Sequence, residues 1–264
     1  QDLRVHVVHD VAWAGFGGTV WLTVRNIGTT TMDASVSLSL DAVSTFIGSE
    51  PPPDAVFGQT FTWTLPALPP GSWTTIPVHV NTAVVPIGTP VHHEATVTPL
   101  SGDLVPEDNQ MHIDDVVVAA YDPNEKHVTP AELTQEELLD GGLVHYTIHF
   151  QNTGNFMAAR VVVTDTLVID LDVSSLEVLG FSHPVTWRLA DRTMIFSFDD
   201  IMLPDSSADE PGSHGFVSFR IRPMSTLGPG ALVLNRANIY FDFNDPVITA
   251  PCVLSIAMPQ TIEE

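Results

Sequence analysis

Along most of this chain apolar and polar residues alternate with a period of two, and the alternation is laid down twice. The first copy runs Val20-Trp21-Leu22-Thr23-Val24-Arg25-Asn26-Ile27-Gly28, and the second runs Val144-His145-Tyr146-Thr147-Ile148-His149-Phe150-Gln151-Asn152-Thr153-Gly154. Both end in Asn-x-Gly. Each is followed by another alternating stretch, at 34–40 and 159–166, and later by an aromatic stretch entering a Leu-Pro turn, at 61–69 and 195–204. Successive side chains of an extended strand point to opposite faces, so the alternation predicts half-buried strands. Turn clusters at 14–18, 51–54, 69–72, 101–109 and 204–212 separate them. No segment holds an i, i+3, i+4, i+7 apolar pattern for three turns; residues 131–139 are the one short helix candidate, closed by Gly141-Gly142. The chain is therefore expected to be all-β, two tandem immunoglobulin-like β-sandwiches of about seven strands each, without the Cys pair of antibody domains.

A length of 264 residues suits two domains of ordinary size, expected at 1–119 and 120–257 with a C-terminal tail at 258–264. Pro123 restricts Asp122 to extended geometry and stiffens the connection, which predicts a rod. Hydrophobic residues make up 44% and charged residues 16%, so burial and not surface ion pairing holds the fold. The formal charge is −23, from 32 acidic and 9 basic residues, which repels phosphate backbones and anionic lipid. Nucleic acid is excluded as a partner on this ground. No apolar run approaches the 18 or so residues of a membrane span, so no membrane insertion is expected. The acidity itself fits solubility outside the cell, or binding of several Ca²⁺ ions. Cys252 has no second cysteine to pair with and reads as a buried inert thiol. Starting at Gln1 without a signal segment, the chain reads as a mature secreted product or a piece of something longer.

Tyr121-Asp122-Pro123-Asn124-Glu125-Lys126 opens a series of motifs. It continues with Tyr146-x-Ile148-x-Phe150-Gln151-Asn152-Thr153-Gly154, Asp165-Thr166-Leu167, Leu203-Pro204-Asp205-Ser206, Gly215-Phe216-Val217 and Asn235-x-Ala237-x-Ile239-Tyr240-Phe241-Asp242-Phe243-Asn244. In this order they resemble the immunoglobulin-like repeat domain, related to the conserved-repeat (DUF11-type) modules, of very large secreted surface proteins of Bacteroidota. The resemblance covers 121–256, and residues 2–118 are similar to the sandwich that often precedes that domain. It implies an exported adhesin-like or structural role with no established catalysis. Such proteins commonly end in a type IX secretion sorting domain; nothing after Ile256 resembles one, which implies excision or processing.

Oxygen-rich clusters occur at Asp103, Glu107, Asp108 and Asn109, at Asp122, Asn124 and Glu125 in the connection, and at Asp242, Asn244 and Asp245. Ca²⁺ takes six to eight oxygens in irregular geometry, so the last two clusters are the candidate metal sites and Ca²⁺ the one candidate cofactor. The plainer account is Asx-turns at strand ends.

Lys126 is the sole lysine of the chain. It shares a strand face with Val128, expected to be the inner one, and Asn235, Ala237 and Ile239 share a face of the final strand, expected to run beside the first. An intramolecular isopeptide bond needs a neutral buried amine, an Asn carboxamide and a protonated carboxyl to polarise it. Lys126, Asn235 and Asp165, the last on the face of Val161 and Val163, are the candidates. The plainer account pairs Lys126 with one of many carboxylates and Asn235 with backbone. In the first module the corresponding positions read as Arg4 and His93, which cannot form the bond.

Of eleven histidines, His145 and His149 lie on one strand face, but i and i+4 there are about 13 Å apart, too far to share an ion, and both are expected to face solvent. Gly180-Phe181-Ser182-His183-Pro184 lacks the final glycine of a nucleophile elbow. Trp13, Trp21, Trp63, Trp73 and Trp187 are expected in the cores. These readings converge on a non-enzymatic extracellular structural or adhesin module, a stalk or filament subunit whose partners are neighbouring domains, copies of itself through edge strands, or surface glycans. The alternative is a carbohydrate-binding module using Trp13, Phe16 or Phe57, or an accessory domain of a secreted hydrolase.

Overall fold

The alternating stretches form strands that stack as β-sandwiches, one in each half of the chain. The structure is a computed structural model and describes residues 1–119 and 122–258. Tyr121, where the resemblance begins, and residues 259–264 of the expected tail lie outside it. The chain divides into two compact units, Gln1–Tyr121 and Asp122–Glu264.

In the first unit the strands are β1 (Leu3–His9), β2 (Gly17–Asn26), β3 (Met32–Ser39), β4 (Ser44–Ser49), β5 (Ala55–Phe57), β6 (Thr60–Leu68), β7 (Trp73–Thr82), β8 (Pro90–Thr98) and β9 (Gln110–Val116). They form two sheets of order β1-β2-β7-β4 and β5-β6-β3-β8-β9. Val20, Leu22 and Val24 of β2, Val36 and Leu38 of β3, and Ile76 and Val78 of β7 supply an aliphatic core around Trp63. Each such side chain, fully buried, contributes about 1.5–3 kcal/mol. Phe46 of one sheet stacks on Phe61 of the other with centroids 4.2 Å apart.

In the second unit come β10 (Lys126–Thr129), β11 (Glu132–Leu133), α1 (Gln135–Leu139), β12 (Val144–Gln151), β13 (Val161–Thr166), β14 (Leu171–Phe181) and β15 (Thr186–Ala190). They are followed by β16 (Thr193–Phe198), β17 (His214–Pro223), β18 (Leu232–Asn235), β19 (Ala237–Phe241), β20 (Val247–Ile248) and β21 (Cys252–Ile256). The sheets are β10-β12-β17-β14, β15-β16-β13-β19-β20 and β11-β21-β18. Here the core is aromatic: Tyr146, Phe150, Phe196, Phe198, Phe216 and Phe219 are all fully buried. The expected helix at 131–139 is shorter. Glu132 and Leu133 pair with Ser255 and Ile256, so α1 begins only after Thr134. Thr134 caps it reciprocally with Glu137, and Gly141 in the left-handed region (φ 79°) ends it. Among the described residues no helix is long and apolar enough to cross a membrane.

The repeated Asn-x-Gly has a repeated job. Asn26 Nδ2 donates to the carbonyls of Thr30 and Leu68, both at 2.8 Å, and its Oδ1 accepts from the Gly28 N–H at 3.1 Å. Asn152 Nδ2 donates to Phe156 at 2.9 Å and Leu203 at 3.0 Å, and its Oδ1 accepts from Gly154 at 3.0 Å. A Cβ at Gly154 would meet Asn152 Oδ1 at 2.9 Å, and one at Gly28 would meet the Asp2 nitrogen at 2.9 Å, so glycine is required by close approach. The buried amide ties the end of one strand to the Leu-Pro turn of the other sheet.

Both units also close alike, with a first segment running parallel to the last. Trp13 bridges Val118 in parallel, Ala14 N–H donates to Val118 at 3.0 Å and Val118 N–H to Ala12 at 2.9 Å. In the second unit β11 lies parallel to β21, with Ser255 N–H donating to Ala131 at 2.9 Å and Ala257 N–H to Leu133 at 2.8 Å.

Candidate functional site

Lys126 opens β10 in one sheet of the second unit, and Asp165 lies near the end of β13 in the facing sheet. Alternation turns both inward: Val161, Val163 and Asp165 are all fully buried, and β10 places Lys126 opposite Ile148 of β12. Lys126 Nζ donates to Asp165 Oδ2, and both side chains are completely enclosed. The amine also sits over the Tyr146 ring, 4.5 Å from its centroid, and 5.4 Å from that of Phe219.

Asn235 ends β18 beside this pair. Asp165 stands opposite Ala237 across β13 and β19, and Asn235, also buried, is two residues before Ala237. Across the other edge Asn235 is paired with Cys252. Burial pushes the Cys252 thiol up; the Lys126 charge pulls it down and Asp165 pushes it up again. Burial likewise pushes the Tyr146 phenol up, with Cys252 and Asp165 adding to the shift.

This cluster is under-satisfied. Asn235 Oδ1 accepts from the Arg236 N–H at 2.8 Å, but its Nδ2, Asp165 Oδ1 and the Tyr146 hydroxyl are buried with no hydrogen-bond partner among the described residues. A buried polar group without a partner costs about 1–3 kcal/mol. A buried ion pair returns little net stability against an apolar replacement. The arrangement is an amine, a carboxyl group and a carboxamide held together in an apolar chamber.

Strand registers identify the same places in the first unit. Counting four residues back from the corner asparagines pairs Ile148 with Leu22; Lys126 faces Ile148 and Val7 faces Leu22. Val7, and not Arg4, is therefore the counterpart of Lys126. Arg4 lies three residues earlier, bonded to Asp108 at 2.8 Å. Asp165 opposite Ala237 corresponds to Leu38 opposite Ala95, which makes His93 the counterpart of Asn235. His93 is fully buried, edge-on to His9 with centroids 5.0 Å apart, and its Nδ1 accepts from the Asp41 N–H at 3.1 Å. Burial, then His9, hold it down to about 3.

The oxygen-rich residues are spread differently. Asp122 Oδ1 accepts from Asn124 N–H at 3.0 Å, Asn124 Oδ1 accepts from Gln151 N–H at 3.1 Å, and Glu125 meets His127 at 2.7 Å. Asp242 adopts a positive φ of 53° and its Oδ1 accepts from Arg160 N–H at 2.9 Å, while Asn244 N–H bonds the Phe241 carbonyl at 3.1 Å. Asp245 has an exposed side chain. Among the described residues, carboxylate oxygens of Asp2, Asp103 and Asp108 lie within 4.8 Å of one another. Burial raises Asp2, with Asp103 and Asp108 adding to the rise and Arg4 opposing it. Asp2 is far from this loop in sequence, and only the pairing of β1 with its surroundings brings it there.

Other expectations shift. His149 is buried, not solvent-facing, with His127 packed edge-on at 6.1 Å, whereas His145 is half-buried. Trp63 and Trp21 are core residues; Trp187 is 44% exposed, and Trp13 and Trp73 are half-buried. Trp13 stacks on Phe16 at 3.6 Å and its Nε1 donates to the Ala119 carbonyl at 2.6 Å, so its ring is engaged within the chain. Phe57 is 89% exposed on β5. Ser182 Oγ accepts from Phe216 N–H at 2.9 Å and lies 2.8 Å from His183 Nδ1.

The family model for a domain of unknown function, DUF7619, matches residues 122–253. No curated protein matches the chain significantly. Among solved structures, the CARDB domain of a Pyrococcus furiosus protein, in complex with di-metal ions, is similar at 18% identity over 45% of this chain and 94% of that one, with a TM-score of 0.33. The N-terminal domain of a Streptococcus gordonii adhesin is similar at 10% identity over 92% of this chain and 61% of that one, with a TM-score of 0.38. The collagen adhesin of S. aureus is similar at 11% identity over 97% and 91%, with a TM-score of 0.32.

Proposed function

From the premise that the chain belongs to the DUF7619 family through residues 122–253, we propose that it is a non-enzymatic structural module of an exported surface protein, a stalk or filament unit that resists extension. The observation that carries this reading is the parallel closure of both units, at Trp13 with Val118 and at β11 with β21. Tension on the two ends of a unit pulls such parallel neighbours in opposite directions along their axes. Their hydrogen bonds are then loaded together in shear, not broken one at a time.

Kinship with the conserved-repeat (DUF11-type) modules, a cell-surface address and type IX export belong to the same proposal, as do the partners: adjoining domains, further copies of the chain, or surface glycans. Ca²⁺ at the 122–125 and 242–245 turns is the proposed stiffener. A melting midpoint that falls when a chelator is added supports the ion, and an unchanged midpoint removes it.

The decisive measurement is single-molecule extension of the chain held by its ends. Each unit should yield at a markedly higher force than when it is held so that β4 or β14 peels off its sheet edge. Equal forces in the two geometries would overturn the reading. Saturable quenching of tryptophan fluorescence by a glycan would favour the carbohydrate-binding alternative.

A further inference from the structure

The geometry points to an intramolecular isopeptide bond between Lys126 Nζ and Asn235 Cγ, formed by the folded second unit itself with Asp165 as its acid–base group. The inference stands on side chains alone and is independent of the mechanical reading. Three observations converge on it. The sole lysine of the chain is sealed in the core against a carboxyl group from the facing sheet, over the Tyr146 and Phe219 rings. A carboxamide whose buried Nδ2 has no partner among the described residues lies two residues before Ala237, the residue that stands opposite that carboxyl. The first unit builds the same sandwich with Val7 and Leu38 at the places of Lys126 and Asp165, so the fold itself does not require the polar group.

The chemistry needs nothing from outside. One proton shift along the Lys126–Asp165 hydrogen bond turns the ion pair into a neutral amine and a carboxylic acid, the form an apolar chamber favours. The Nζ lone pair attacks Asn235 Cγ, the carbonyl π electrons move onto Oδ1, and the Asp165 O–H hydrogen-bonds to that oxygen. A proton from Nζ passes through the Asp165 carboxyl to Nδ2. The Cγ–Nδ2 bond then breaks, ammonia leaves, and an amide joins the side chains. Nothing is oxidised or reduced, and Asp165 ends as it began.

Mass spectrometry of the intact wild-type chain after denaturation should show a loss of about 17 Da, one ammonia per molecule. Peptide mapping should recover a branched peptide holding both Lys126 and Asn235. Cyclisation of Gln1 gives an equal loss, so a Gln1→Ser chain is measured beside it and should keep the deficit, whereas adding Asn235→Ala to that chain should abolish it. If Asn235→Ala does not fold, the wild-type map decides alone. Recovery of linear peptides with unmodified Lys126 and Asn235 from folded wild-type protein overturns the proposal.

Discussion

In the first unit Val7, Leu38 and His93 stand where Lys126, Asp165 and Asn235 stand in the second. The surrounding frames match: the same sheet order through the first four partners, the same corner asparagine, the same parallel closure. What differs is the lining, aliphatic at Val20 and Val78 in one unit and aromatic at Tyr146 and Phe219 in the other. The difference separates what the architecture demands from what one copy has added. A sandwich of this plan is complete with apolar side chains at those positions, so the architecture does not itself demand the Lys126–Asp165 pair.

The sharpest way to break the comparison, made in an Asn235→Ala background that cannot form the crosslink, is Asp165→Ala, which leaves the Lys126 amine in the core without its partner. Denaturant unfolding followed by the second unit's signal should lose about 3–5 kcal/mol. In the same background Lys126→Val with Asp165→Leu, which copies the first unit, should recover most of that loss; if it does not, the correspondence of the two sites is wrong. The corner asparagines test the shared part of the plan. Asn26→Ala and Asn152→Ala should each cost their own unit about 2–3 kcal/mol by orphaning buried carbonyls, and a large disparity between them would show that the corner is not equivalent.

Acid discriminates the units more gently. His93 titrates at about 3 in the folded state against 6.5 as its ordinary value, so the unfolded chain binds the extra proton between those pH values. The first unit keeps the full contribution above 6.5 and should lose up to about 1.4 kcal/mol per pH unit as pH falls through that window. His93→Leu should flatten this slope in the first unit alone. The second unit retains its own fall toward pH 4 from His183, whose folded value burial holds at about 4. The smallest effect has no counterpart in the first unit: Thr134→Ala, which removes the reciprocal cap of α1, should cost about 1 kcal/mol in thermal unfolding of the second unit.

The repeat was legible in the chain because its cause is local: Asn26 and Asn152 bond their own glycines two residues on, and that geometry writes itself as Asn-x-Gly. Lys126 drew attention by being alone, and the strand period sufficed to turn Asp165 and Asn235 inward. Legibility stopped where a distant partner decided. Glu132 and Leu133 extend because β21 lies beside them, Asp2 joins Asp103 and Asp108 through strand pairing, and His149 is covered by His127 from another strand. The register of β1, which makes Val7 and not Arg4 the counterpart of Lys126, is likewise set by its hydrogen bonds to β2. In the turns holding Asp122, Asn124 and Asp242 an oxygen of each accepts a main-chain hydrogen bond, a partner that residue type alone does not reveal.

Because the chain's one lysine is folded inside, the outer faces of both units carry no ε-amine at all, and every exposed permanent cation there is an arginine. Lysine-directed endopeptidases and acylating reagents find no lysine side chain on the intact protein, and on an Asn235→Ala chain, whose Lys126 amine stays free, their first access would report the opening of the second unit.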